Sequence, residues 1–116
     1  MNDEKMGQNI DFTMKKDNLY REEIITDMNI GSIRKLVPIK IDGSQDTGRT
    51  VLFFGHTQLV SPQGPVPLQA PLAANNFQEA LDVFPQTLRK SFNDMIANIQ
   101  KMQKEEEEKK KGVQAQ

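Results

Sequence analysis

The sequence predicts an α+β fold: a small antiparallel β-sheet of about three to four strands followed by a kinked or broken C-terminal helical segment. Two observations carry this. In the middle of the chain, apolar residues fall in short runs with period-two alternation, separated by turn residues. From Asn75 onward the pattern changes, and Phe77, Leu81, Phe84, Leu88, Phe92, Met95, Ile99 and Met102 follow one another at gaps of three or four, which is one helical stripe. Hydrophobic residues are 36% of the chain and concentrate between Leu19 and Met102. That concentration divides the chain into a tail at 1–17, a single α+β domain at 18–103, and a charged helix end with C-terminal tail at 104–116.

Residues 1–17 read as polar, mixed in charge and aperiodic, hence as a mobile tail. "LYREEIIT" (19–26) suits a strand by its β-branched and aromatic content, with a short helix as the alternative. "MNIGSI" turns the chain, Asn29 and Gly31 being able to take the required angles. In "KLVPIKI", Val37, Ile39 and Ile41 share a face, giving a strand that ends at Asp42-Gly43. "TVLFFGHTQLV" (50–60) is the most strand-like segment, and "SPQG" (61–64) fits a type I turn into a second hairpin strand, "PVPLQAPLA".

Pairing Val60 with Pro65 sets the hairpin register. Phe53 then faces Leu72, Gly55 faces Ala70, Thr57 faces Leu68 and Leu59 faces Val66. This face is apolar, with a small spot at Gly55 and Ala70 where a large helix side chain can approach. The reverse face is mixed, with an apolar end at Leu52 and Phe54. Pro65, Pro67 and Pro71 share parity, so their missing N–H groups lie along one edge, which marks this strand as a blunted sheet edge. In the helical stretch Asn75 or Asn76 can cap, and Pro85 removes a donor and predicts a kink or break.

Several function classes lose support on composition. Fifteen basic residues against sixteen acidic give a net charge of −1, which exerts no general pull on nucleic acid or anionic lipid. The absence of cysteine removes disulfides, thiolate metal sites and cysteine nucleophiles. No apolar run reaches membrane length, and the first residues carry early acidic groups with no apolar h-region, so a cytoplasmic location is the expectation.

"GSQDTGRT" (43–50) differs by one letter from a phosphate-binding P-loop, with Arg49 in the lysine position. A P-loop needs a helix directly after it, whereas Thr50 leads into a strand-like run, and Asp46 sets a negative charge in the cradle. The stretch therefore reads as a mobile hairpin loop. Asp42 and Asp46 lack EF-hand spacing, and His56 is the only histidine, so neither a calcium loop nor a histidine metal cluster is expected. Glu105, Glu106 and Glu107 each precede a lysine by four residues, which describes a solvated helix end.

The expectation is a small non-enzymatic homo-oligomeric interaction module, most simply a dimer, without cofactor, metal, nucleic acid or membrane partner, and with a protein partner as a further possibility. Its interface residues are Leu52, Phe54, Phe92, Met95, Ile99 and Met102, since the helix outruns the sheet that could cover it. The alternative is a small-ligand or peptide-binding protein using the sheet face around Gly55 and Ala70, with His56 and Arg49 as polar anchors.

Overall fold

Alternation of apolar and polar residues resolves into four strands, β1 (Tyr20–Asp27), β2 (Gly31–Pro38), β3 (Leu52–Ser61) and β4 (Gly64–Leu72), followed by one helix, α1 (Phe77–Gln114). The computed structural model describes residues 9–114, with side-chain surroundings to residue 109. The strands form one antiparallel sheet in sequence order, β1-β2-β3-β4. The fold is α+β, and 19–26 is strand rather than helix. The 38-residue helix extends well beyond residue 103.

The β3–β4 register is the one the turn implies: Phe53 opposite Leu72, Gly55 opposite Ala70, Thr57 opposite Leu68, Leu59 opposite Val66 and Val60 opposite Pro65. Gly64 has φ 116°, the left-handed geometry that closing the turn requires, and Ser61 Oγ donates to its carbonyl. β4 is an edge strand, so its three prolines cost no ladder bond.

Two expectations need correction. β2 runs from Gly31 to Pro38 and does not continue to Ile41; beyond Pro38 only an isolated bridge joins Ile39 to Gln45. Pro38 is fully buried and ends the ladder, and the chain turns away there into a compact loop. The helix also runs unbroken through Pro85. Proline deprives the Leu81 carbonyl of its helical donor, but Leu81 and Pro85 are both exposed, so water can reach that end of the turn. Asn76 is the cap: its Oδ1 accepts from the Glu79 N–H at 2.8 Å, while Glu79 Oε2 accepts from the Asn75 N–H at 2.8 Å.

One sheet face and one helix stripe make the core. Ile33, Phe53, Leu68, Ala70 and Leu72 from the sheet bury against Ala80 and Leu88 of α1, with Phe77, Val83, Phe84, Phe92 and Met95 packed around them. α1 lies over β4 and β3, grazes β2 and makes no close backbone approach to β1. The closest approach is at Gly55, where a Cβ would stand 2.8 Å from Leu88 Cδ2 and 3.0 Å from two Phe84 ring carbons. Glycine at 55 is therefore what lets the helix seat.

Gly55→Ala is expected to destabilise the fold by about 1–3 kcal/mol through overpacking, measured as a lower denaturant midpoint. In the Gly55→Ala/Leu88→Ala double variant the two losses should fall short of additive, because removing the leucine makes room for the new methyl. Strict additivity would mean that the two positions do not meet.

Candidate interaction surfaces

Four features of the surface follow from a single helix covering only part of a four-stranded sheet. The first is the helix beyond the core. Phe92 and Met95 are half-buried and pack against the core cluster, whereas Ile96, Ile99 and Met102 are 37%, 44% and 64% exposed. Phe92 and Met95, both assigned above to an interface, thus belong in part to the intrachain core. Ile99 and Met102 do not.

The second is an apolar groove of about 320 Å³ between α1 and the uncovered side of the sheet. Ile25, Ile30 and Ile33 form one wall, and Phe77, Leu81 and Phe84 the other. It meets a hollow of about 450 Å³ beside Leu59, Leu88 and Phe92, the two sharing Ile30, Phe84 and Pro85. The Gly55/Ala70 spot itself is occupied by Phe84 and Leu88. A ligand cannot take that place while the helix is seated.

The third is the sheet face turned away from the helix. Strand parity puts Leu36, Leu52, Phe54, His56 and Val60 there with the β4 prolines. Leu52 is exposed, Phe54 and His56 are half-buried, and Val60 is 97% exposed. His56 lies opposite Ser32 and Gln69. Glu22 and Arg34 form an ion pair on the same face.

The fourth is the loop between β2 and β3, which is more closely bonded to the rest of the chain than its composition suggests. Arg49 ties it down. Its Nε donates to Asp46 Oδ2 at 2.8 Å, its Nη2 donates to the Leu19 and Ile39 carbonyls at 3.1 and 2.9 Å, and its guanidinium lies 5.0 Å from the Tyr20 ring centroid. Asp46 in turn accepts from the Gly48 N–H, and the chain continues from Arg49 and Thr50 into β3. As a polar anchor Arg49 serves its own chain first: it fastens the start of β1 to the end of β2. Composition could not show this, because the acceptors are backbone carbonyls as far as 30 residues away.

Residues 1–8 of the expected N-terminal tail lie outside the described residues. Residues 10–14 form neither helix nor strand, and Ile10, Phe12 and Met14, which alternate with polar residues there, are all exposed. Among the described residues, no helix is long and apolar enough to cross a membrane.

Comparison with family models, curated proteins and solved structures finds no match, so the functional reading rests on this geometry.

Arg49→Ala should lower the melting temperature by several degrees, because it strands the Ile39 carbonyl, takes one of two donors from the Leu19 carbonyl and unpairs Asp46; an unchanged melting temperature would show that the clamp is idle. The hydrogen bond from Arg49, and next that from the Gly48 amide, hold the Asp46 carboxyl below its ordinary value. A depressed folded pKa stabilises fully above the unfolded value, near pH 4, and the contribution fades as pH falls through the folded value. Wild type should therefore lose stability below about pH 4 more steeply than Asp46→Asn, as followed by thermal melts across that range.

Proposed function

We propose that this chain is a non-enzymatic homo-oligomeric interaction module that joins copies of itself through the part of α1 lying beyond its own core. The observation that carries the reading is the continuation of α1 as one helix past Met95 with Ile96, Ile99 and Met102 uncovered. A helix of 38 residues is about 57 Å long, and roughly half of it lies beyond the last core contact. Phe92, Met95, Ile99 and Met102 are spaced three, four and three apart, the seam by which two helices pack side by side.

The charged run that follows, Lys104 to Lys111, supplies i,i+4 pairs that favour helix without requiring a sheet beneath it. A helix so prolonged holds the apolar seam in a fixed line. Two copies crossing there would cover Ile99 and Met102, each such burial contributing about 1.5–3 kcal/mol. Leu52 and Phe54 on the outer sheet face offer a separate apolar surface for a protein partner.

Light scattering of the wild type at micromolar concentration should give more than one chain per particle. Ile99→Glu should lower that number while far-UV circular dichroism stays that of a folded chain. An unfolded spectrum would instead place Ile99 inside its own subunit, and an unchanged particle mass would remove the helix from the interface.

A further inference from the structure

We propose that a second copy of this chain docks on the outer edge of β1, strand against antiparallel strand, with Ile24 opposite Ile24 of the other copy. The inference rests on the self-association reading but concerns a different surface from α1.

The two edges of the sheet are unequal. On β4, Pro65, Pro67 and Pro71 carry no N–H, so that edge cannot accept another strand. β1 contains no proline and no described strand lies beyond it. Backbone parity shows which of its groups face outward. The Ile39 N–H donates to the Leu19 carbonyl across the β1–β2 ladder, so the odd residues of β1 face β2 and the even residues turn their N–H and C=O groups outward. Tyr20, Glu22, Ile24 and Thr26 are the outward set. A two-fold axis through Ile24 pairs these with the even residues of the other copy, which satisfies the geometry of hydrogen-bonded antiparallel pairs.

Charge selects the register. Centred on Ile24, Arg21 faces Asp27 of the other copy twice over, Glu22 faces Thr26, and Glu23 faces Ile25. A shift to either neighbouring register sets Glu23 against Glu23 or against Asp27; a further shift sets Glu22 against Glu22 in one direction and, in the other, centred on Thr26, gives up both Arg21–Asp27 pairs. These like-charge pairs are unfavourable. Arg21 and Asp27 are odd residues, hence in non-hydrogen-bonded positions where side chains approach most closely. Each retains a group for this contact: Arg21 Nη2 serves the Gly43 carbonyl and Asp27 Oδ1 the Asn29 N–H, leaving the remaining guanidinium N–H groups and Oδ2. Ile24, 58% exposed, would be covered by its own copy.

The same two-fold puts both helices on one side of a continuous eight-stranded sheet. Each apolar groove then opens toward the seam, with Ile25 and Leu81 on its walls. The surface that α1 leaves uncovered over β1 becomes the floor between two helices.

The chain has no cysteine, so single cysteines report contacts directly. Opposed Cα atoms in a hydrogen-bonded pair stand about 5.5 Å apart, within disulfide reach. Under mild oxidation Ile24→Cys should become a disulfide-linked dimer. Glu22→Cys and Thr26→Cys alone should stay largely monomeric on a non-reducing gel, while an equimolar mixture of the two should cross-link. Val60→Cys, fully exposed on β3, sets the level of random collision. Ile24→Pro removes only an outward donor, as the prolines of β4 do, and should reduce the chains per particle without changing the circular dichroism.

Cross-linking of Ile24→Cys no better than Val60→Cys, or an unchanged particle mass for folded Ile24→Pro, would overturn the β1 contact. Efficient cross-linking of Ile24→Cys to Phe12→Cys rather than to itself would also overturn it, giving the edge to the N-terminal segment. A wild type that scatters light as a single chain defeats the self-association reading as a whole. An assembled wild type in which Ile24→Cys fails to cross-link defeats the edge contact alone. Cross-linking that persists in Ile24→Cys/Ile99→Glu shows the edge acting independently of α1.

Discussion

The close seating of α1 at Gly55 is the contact on which the rest of the architecture depends. A sheet of four strands has one face to bury and a single helix to bury it with. Phe84 and Leu88 descend onto a patch without a Cβ, beside the small Ala70, and Ala80 is wholly covered. The approach fixes the helix over β3 and β4. Because the helix cannot be over both halves of the sheet at once, the groove beside β1 is the direct consequence of that choice.

A second constraint comes from backbone hydrogen bonding at the sheet borders. The prolines of β4 close one border covalently, at no cost to the ladder, since edge residues of that parity have no strand to donate to. The other border keeps its donors and acceptors, and its charges favour the Ile24-centred alignment with another copy that we propose. The molecule is therefore asymmetric in what it offers: one blunted border, one selective border, and an apolar helix segment reaching past both.

Arg49 shows how a loop can look dispensable in sequence and be structural in space. Gly, Ser and Asp set the turn chemistry of residues 42–48, and several local bonds follow, such as the Ser44 N–H to Asp42 Oδ1. What orders the loop as a unit is one guanidinium reaching carbonyls at Leu19 and Ile39 together with the Asp46 carboxylate. Its planar fork satisfies partners in several directions at once, which the ammonium of a lysine, the residue a P-loop carries there, would do less well.

The sequence by itself determined the β-hairpin, a strand before it and the helix, while 19–26 stayed open between strand and helix. Period-two runs and the Ser-Pro-Gln-Gly turn set the β3–β4 register, the parity of three prolines marked the edge, and the three-and-four spacing from Phe77 marked the helix, because each signal is local and the chain needs no distant partner to express it. It also pointed to the small spot at Gly55 and Ala70 as a place for a helix side chain. Tertiary structure alone decided the rest. The end of β2 at Pro38 depends on a loop anchored from Leu19, and continuity of α1 through Pro85 on the neighbouring turns and on solvent access at Leu81. Whether Met95 is core or surface depends on how far along the sheet the helix has travelled when it passes the last covered strand residue. Those outcomes are set by distances between residues far apart in the chain, and a periodic pattern carries no record of them.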